Sequence, residues 1–169
     1  MSQDLIYMTL ALEEAKKCVP TPTAFCVGAV IVLPKGAPRN TTDKGSLLPI
    51  YFHALDIIIS TGYSRELPGN THAEQCSLDK LADNIRPPPK SAVIYTTMEP
   101  CSERLSGNVP CVDRIIGSGI FKSVKVGVIE PDTFIKNNVG KQKLDAAGIQ
   151  YVLVSGLEKE CLEVATSGH

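Results

Sequence analysis

Three short sequence elements carry side chains that could bind a metal and move a proton. They are His72-Ala73-Glu74, Pro100-Cys101 and, after nine intervening residues, Cys111. Histidine nitrogen and cysteine thiolate are good zinc ligands, and a catalytic zinc site uses three protein ligands with a fourth position open for water. Glu74 follows His72 by two residues, so its carboxylate could carry a proton beside that water. The residue types therefore favour a hydrolytic zinc site.

Each element also has a simpler interpretation. A His-x-Glu triplet is common by chance at an exposed helix start, and two cysteines nine residues apart are weak evidence for zinc by themselves. Cys101 and Cys111 could be buried core thiols, or a closed structural zinc site could use Cys76, which falls on the same helical face as His72. The occurrence of all the elements in chain order, at plausible element boundaries, favours the catalytic interpretation.

The remaining cysteines and the N-terminus indicate the compartment. Cys18, Cys26 and Cys161 are predicted to pack as small apolar side chains. The N-terminus lacks the basic start and apolar core of a secretory signal, and cysteines in a reducing cytosol are more often core residues, ligands or nucleophiles than disulfides. We therefore expect a cytoplasmic protein, in which the sequon at residues 40–42 is only a polar loop.

Length and charge exclude several classes of protein. The 169 residues are 43% hydrophobic and suit one domain, residues 1–169, with a single core. A formal net charge of −1 argues against a nucleic-acid partner, because phosphate binding requires a basic excess. No apolar run approaches the length of a membrane span, so no membrane partner is expected. One small anionic substrate held by a few local cations remains compatible with this balance.

Strand and helix signals alternate along the chain. Five apolar, β-branched runs predict strands, at residues 27–33, 55–61, 91–97, 124–129 and 149–154. Helices are predicted at residues 4–18, 72–82, 112–116, 144–148 and 158–165, with Asn70 or Thr71 as the N-cap of the second. Residues 34–52 are predicted to form a long loop. This alternation predicts an α/β protein in which helices cover both faces of a sheet, an α/β/α sandwich of three layers.

The motif resembles the signature of zinc nucleobase deaminases, H-x-E followed by P-C-x-x-C. The chain as a whole is similar to the cytidine-deaminase-like superfamily and, more closely, to its riboflavin-pathway pyrimidine deaminases of the fungal type. The segments that carry this resemblance are ALEEAKKCVPTPTAFCVGAVIV, GYSRELPGNTHAEQCSLDKL, YTTMEPCSERLSGNVPC and VGVIEPDTFIKNNVGKQKLDAAGIQY. Nine residues separate the two cysteines, where ordinary cytidine and tRNA deaminases have two, and members of the riboflavin branch also have a long segment there.

The resemblance implies a fold, a cofactor and a reaction. The fold would be cytidine-deaminase-like, with a central mixed sheet of five strands, and the assembly a homodimer. His72, Cys101 and Cys111 would bind one Zn²⁺, and Glu74 would be the catalytic acid and base. The substrate would be 2,5-diamino-6-(ribitylamino)pyrimidin-4-one 5'-phosphate or its ribosyl analogue. Bacterial members have Asn-Pro where this chain has Ala24-Phe25, which agrees better with a ribityl substrate.

Several residues near the motifs are candidates for substrate contacts. The phosphate requires donors, and Arg104, within the segment between the two cysteines, is the first choice for that contact. Backbone groups near Ala73 and Pro100 could bind the edge of the ring. Further candidates for substrate contacts are Asn70, Ser106, Asn108 and Arg65, and the weaker ones are His53, Lys80 and Arg86.

Two other functions are compatible with the zinc motif. A deaminase that acts on tRNA or single-stranded DNA requires a basic groove with stacking aromatic residues, and this sequence shows no obvious one. A zinc scaffold without catalysis would have no use for a proton carrier, so the presence of Glu74 counts against it.

Overall fold

The structure is a computed structural model that describes residues 2–37, 56–81, 87–134 and 136–169. Within these ranges the chain forms five helices and five strands. The helices are α1 (Gln3–Ala15), α2 (Ala73–Asp79), α3 (Cys111–Ser118), α4 (Gly140–Ala146) and α5 (Glu158–Ala165), and the strands are β1 (Gly28–Leu33), β2 (Ile57–Tyr63), β3 (Ala92–Met98), β4 (Phe121–Val128) and β5 (Gln150–Leu153).

The five strands form one mixed sheet in the order β2-β1-β3-β4-β5. β1 pairs antiparallel with both β2 and β3, whereas β3, β4 and β5 run parallel. Every residue of β1 and β3 is buried, which explains why these strands are nearly continuous apolar runs rather than alternating patterns. Because β3 and β4 are parallel neighbours, their carboxyl ends lie side by side at one edge of the sheet.

Helices cover both faces of the sheet. Met8 and Leu12 of α1 pack with Cys161 of α5 on one face. On the other face Ala73 of α2, Val112 and Ile115 of α3 and Leu144 of α4 form a second apolar cluster with the strands. The predicted α/β/α sandwich with a mixed sheet of five strands is thereby confirmed.

Local boundaries differ from the sequence prediction in several places. β4 begins three residues earlier than predicted and α4 four residues earlier, and α1 ends at Ala15 rather than at residue 18. β2 begins and ends two residues later than predicted, because its pairing with β1 continues as far as Tyr63 opposite Gly28. The N-cap of α2 is His72, and neither Asn70 nor Thr71 caps this helix. Thr71 instead donates its hydroxyl to the carbonyl of Leu67, at 2.7 Å.

A close approach of backbones fixes the start of α2. A Cβ atom on Gly62 of β2 would lie 2.4 Å from the carbonyl oxygen of Ala73 and 2.6 Å from the amide nitrogen of Ser77. Both contacts are with backbone that cannot move aside easily, so only glycine lets α2 lie this near the sheet. The position of the His72-Ala73-Glu74 element therefore depends on a residue ten positions earlier.

The prediction that Cys18 and Cys26 pack as separate apolar residues is wrong. The two sulfur atoms form a disulfide, with 5.6 Å between the Cα atoms. The intervening segment folds back through a bridge between Thr21 and Ala24, which brings the two cysteines together. Cys161 packs in the apolar cluster of α1 and α5 as predicted, and burial raises the pKa of its thiol to about 12.

Some sequence predictions lie outside the described residues. They concern the sequon at residues 40–42, most of the loop 34–52, and the substrate candidates His53 and Arg86. None of the helices in the described ranges is long and apolar enough to cross a bilayer.

Candidate active site

Three chain segments meet at the carboxyl edge of β3. His72 directly precedes α2, Cys111 is the first residue of α3, and Cys101 lies three residues beyond the end of β3. β3 lies in the middle of the sheet, so the segment after it passes between the starts of two helices. The fold thus brings together three residues that are up to 39 positions apart in the sequence.

The donor atoms of these residues form a compact set. His72 Nδ1 lies 3.6 Å from Cys101 Sγ and 3.4 Å from Cys111 Sγ, and all the donor atoms lie within 4.8 Å of one another. The two cysteines are buried, whereas His72 is partly exposed on the pocket side. Two sulfurs and one imidazole nitrogen at this spacing fit a zinc ion with one open position.

The thiols of Cys101 and Cys111 interact, and their pKa values shift in opposite directions. The Cys111 thiol hydrogen-bonds to the sulfur of Cys101 and, together with His72, lowers the pKa of Cys101 to about 4. The pKa of Cys111 is raised, because its proton is held by Cys101 and because its thiol is buried near Glu74. The first amides of α3 also face Cys101: the Cys111 nitrogen lies 3.5 Å from its sulfur. The hydrogen bond from Cys111 and the neighbouring His72 therefore favour the thiolate form of Cys101.

The carboxyl group of Glu74 is buried beside His72, Cys101 and Cys111, the three residues called the metal cluster below. Its side chain is only 3% exposed, and Oε1 accepts a hydrogen bond from the Thr96 hydroxyl at 3.2 Å. Burial raises the pKa of this carboxyl group, and His72 opposes that effect. A buried carboxyl group with a raised pKa holds a proton more readily than an exposed one, which suits a general acid and base.

A pocket opens beside His72, Glu74 and Cys101. Apolar side chains, including Phe25, Met98 and Phe134, form part of its wall. The polar groups that also line it are Ser64, Arg65, Asn70, Glu99, Glu103, Arg104, Ser106 and Glu130. The wall combines apolar surface that could contact a flat ring with donors and acceptors that could contact its substituents.

Arg104 lines this pocket. In the described part of the chain its guanidinium has no carboxylate partner. Its guanidinium donates to the carbonyl of Asn70 at 2.6 Å and to Oε1 of Gln75 at 3.2 Å, and the residue is only 8% exposed. Both acceptors are neutral. A buried cation is costly when no opposite charge compensates it, so this wall of the pocket favours an anionic ligand.

Arg65 also lines the pocket but is engaged by its surroundings. Its guanidinium donates to the carbonyls of Val19 and Phe25 and contacts the sulfur of Cys18. Burial lowers its pKa. Arg65 therefore holds the segment that contains the disulfide in place against the pocket.

The other sequence candidates occupy different positions. Asn70 and Ser106 line the pocket, whereas Asn108 does not line it and donates its amide to the Ser106 hydroxyl at 3.4 Å. Ala73 is fully buried at the start of α2. Lys80 lies outside the pocket, where it pairs with Glu66.

Sequence reasoning missed three carboxylates of the pocket: Glu103, and the hydrogen-bonded pair Glu99 and Glu130. Glu99 accepts hydrogen bonds from the Tyr151 hydroxyl and from the amide of Glu130. Burial raises the pKa of Glu130 to about 8, and Asn138 donates to its Oε2 at 2.7 Å. A signal was available for Glu99 and Glu130, because the two residues follow the neighbouring parallel strands β3 and β4, whose carboxyl ends share one edge of the sheet.

Comparison with known proteins is consistent with this geometry. Residues 50–128 match the family profile of the cytidine and deoxycytidylate deaminase zinc-binding region. The Rib2 deaminase of Aspergillus oryzae superposes with a TM-score of 0.81 and 42% identity, over 99% of this chain and 93% of that one. Its structure in complex with DARIPP gives a TM-score of 0.79 and 41% identity, over 99% and 92%. The chain belongs to the cytidine-deaminase-like superfamily, in the branch of the Rib2 deaminases.

Two curated relatives extend the comparison within this family. The diaminohydroxyphosphoribosylamino-pyrimidine deaminase of Schizosaccharomyces pombe is 44% identical over 164 residues, which are 96% of this chain and 35% of that protein. The riboflavin biosynthesis protein RibD of Aquifex aeolicus is 33% identical over 165 residues, 95% of this chain and 37% of that protein. The chain thus spans about a third of the length of these relatives. The zinc-binding region of the family and the cluster of His72, Cys101 and Cys111 together support Zn²⁺ as the metal.

Proposed function

We propose that this protein catalyses the zinc-dependent hydrolytic deamination of a phosphorylated diaminopyrimidinone in riboflavin biosynthesis. The substrate is 2,5-diamino-6-(ribitylamino)pyrimidin-4-one 5'-phosphate, and the reaction replaces the amine on C2 by oxygen and releases ammonia. One observation carries the proposal. In a Rib2-type chain, three zinc ligands and a buried carboxyl group lie at a pocket that is also lined by Arg104, which has no carboxylate partner among the described residues.

In this proposal His72, Cys101 and Cys111 hold the zinc. Zinc held there with one open position would supply an acidified water, the nucleophile of the hydrolysis. Cys101 and Cys111 would bind it as thiolates, whose two negative charges would offset the charge of the ion. Both sulfurs are buried, which shields them from bulk water.

Glu74 carries the protons. Its carboxylate accepts a proton from the attacking water and delivers it to the ring nitrogen next to C2. It then takes the second proton from the hydroxyl group on C2 and passes it to the departing amine, so that the C2–N bond breaks, the C2=O bond forms and ammonia leaves. Burial of the Glu74 carboxyl group raises its pKa, which favours its holding the proton between the two transfers.

Arg104 binds the phosphate tail in this proposal. The guanidinium is fixed by Asn70 and Gln75, has neutral acceptors only, and faces the pocket together with Ser106. A fixed planar guanidinium can donate two parallel hydrogen bonds to phosphate at little cost in side-chain entropy. Asn70 and Ser106 contribute polar contacts, Ala73 its backbone, and Arg65 the wall beside the tail.

Replacing Arg104 by alanine is expected to raise KM for the phosphorylated substrate by about tenfold or more, equivalent to ~1.4 kcal/mol of binding. Steady-state ammonia release measures this change. Arg114→Ala is the matched control, because Arg114 donates to the carbonyl of Val109 in the same loop and does not line the pocket. Equal losses with the phosphorylated and dephosphorylated substrates would show that Arg104 supports the loop rather than the phosphate.

A panel of substrates tests the function itself. Ammonia release is measured with the ribityl phosphate, its ribosyl analogue, the dephosphorylated ribityl compound, cytidine and a tRNA. We expect the ribityl phosphate to be the best substrate and cytidine and tRNA to be inactive. Faster turnover of cytidine or tRNA would replace this proposal by a nucleoside or nucleic-acid deaminase. A zinc-loaded protein that releases no ammonia from any of them would be the non-catalytic scaffold.

We further infer that the protein acts in the cytoplasm as a homodimer. Resemblance to the enzymes of riboflavin biosynthesis supports both the location and the assembly. Light scattering on the purified protein should give twice the 18.2 kDa mass of the chain. A mass of one chain at micromolar concentration would contradict the assembly.

A further inference from the structure

β3 places a hydroxyl group in an otherwise apolar layer. Thr96 is fully buried on the same face of β3 as Ile94, and in the sheet it is paired with Ala29 of β1 and Val126 of β4. A valine would fill this position with the same shape and without a polar group to satisfy. A buried hydroxyl costs free energy unless it has a hydrogen-bond partner, so its partners indicate what it does.

The Thr96 hydroxyl has two acceptors in reach. Oγ1 lies 3.0 Å from the carbonyl oxygen of Met98 and 3.2 Å from Oε1 of Glu74. The hydroxyl has one proton to donate, and both acceptor oxygens lie within hydrogen-bond distance of it. Among the described residues, Thr96 is the side chain other than His72, Cys101 and Cys111 that hydrogen-bonds to the Glu74 carboxyl group.

The contact with Thr96 involves one of the two carboxyl oxygens of Glu74. Oε1 faces β3 and the Thr96 hydroxyl, while the carboxyl group also interacts with Cys111 and borders the pocket. We propose that Thr96 is a positioning residue of this site: by donating to Oε1 it fixes the rotation of the carboxyl group, so that Oε2 is the oxygen presented to water and substrate. This inference rests on the proposed function, because it assigns Thr96 a part in the proton transfers of Glu74.

Thr96→Val tests the inference, because it removes the hydroxyl and keeps the side-chain shape. We expect kcat to fall by about ten- to a hundredfold, the range for one lost hydrogen bond to a charged group, with KM changed less than about twofold. Zinc content should be unchanged. Thr96→Ser keeps the hydroxyl and should restore kcat to within about threefold of the parent protein.

Thr97→Val is the matched control. Thr97 is the next residue of β3, is equally buried, and accepts a hydrogen bond from the amide of Gly28 rather than from the site. This variant should lose thermal stability yet keep kcat. A fall in kcat as large as that of Thr96→Val would show that any damage to β3 slows the reaction, and would overturn the assignment.

A double-mutant cycle separates positioning from structural support. If Thr96 acts through Glu74, Thr96→Val should not slow the residual reaction of Glu74→Gln any further. Equal factors in the two backgrounds, or a Thr96→Ser variant as slow as Thr96→Val, would overturn the inference. Should Thr96→Val fail to fold, the Thr96→Ser and Thr96→Ala variants in the same cycle decide the question.

A structural readout keeps this test independent of the substrate. In a crystal structure of zinc-loaded Thr96→Val the Glu74 carboxyl group should be rotated or occupy more than one conformer, whereas in Thr97→Val it should be single and unchanged. An unchanged Glu74 in Thr96→Val would refute the positioning role. If the parent protein deaminates none of the compounds in the panel, the proposed function fails and this structural comparison still decides the role of Thr96.

Discussion

Replacing His72 by alanine, or Cys101 or Cys111 by serine, is expected to remove the bound zinc and abolish ammonia release. Each residue supplies one donor atom of a set of three, and two protein ligands do not retain zinc against solvent. Elemental analysis should fall from about one zinc per chain in the parent protein to near zero in each variant. The midpoint of thermal unfolding should fall as well, because metal binding to the folded state contributes to its stability.

Cys161→Ser is the control for the loss of a buried thiol. Cys161 is fully buried between α1 and α5, away from the metal cluster, so this variant should keep its zinc even if it unfolds at a lower temperature. Cys76 tests the alternative set of ligands: its thiol lies 3.1 Å from the Thr71 hydroxyl and is not part of the cluster. Loss of zinc in Cys76→Ser together with its retention in Cys111→Ser would make the proposed set wrong.

Glu74→Gln is expected to keep the zinc and the fold while slowing turnover by about 10²–10⁴-fold, the contribution of a positioned general acid and base. The amide has nearly the same shape as the carboxyl group, and its oxygen can still accept the hydrogen bond of Thr96. It cannot take a proton from water and return it. Ammonia release under saturating substrate, with zinc measured on the same sample, provides the test.

Asp79→Asn is the matched control for the change from carboxylate to amide. Asp79 belongs to the same short helix as Glu74 but is exposed to solvent at its far end, so its replacement should leave kcat unchanged. Substrate should still bind to Glu74→Gln, which would make this variant suitable for crystallising a complex. Near-normal turnover by zinc-loaded Glu74→Gln would remove Glu74 from the mechanism.

The parts of the fold that depend on local composition could be predicted from the sequence. β1 and β3 were predictable because buried strands are runs of β-branched residues, and the clustering of His72, Cys101 and Cys111 was predictable because their residue types and chain order are specific. The end of β2 was not predictable. Gly62 and Tyr63 resemble the start of a loop in the sequence, and they belong to the strand because they pair with β1.

The remaining site features depend on contacts distant in sequence. Arg65 stands alone in a polar loop, and its contacts with Val19 and Phe25 exist only because α1 and β1 lie beside that loop. The pairing of Cys18 with Cys26 likewise depends on the fold of the segment between them. Thr96 resembles any β-branched residue of a buried strand until Glu74 is placed beside it. No periodicity encodes such contacts, because they arise from tertiary packing.

The nine residues between Cys101 and Cys111 form a loop whose two ends belong to the same metal cluster. The anchors stay in place whatever chain length lies between them, and extending such a loop from two residues to nine costs only about 1.3 kcal/mol of closure entropy. A change in the length or sequence of this loop can therefore leave the donor atoms of His72, Cys101 and Cys111 in place. We expect exchange of this loop between relatives to change the lining of the pocket, through positions such as Arg104 and Ser106, and to leave zinc binding intact.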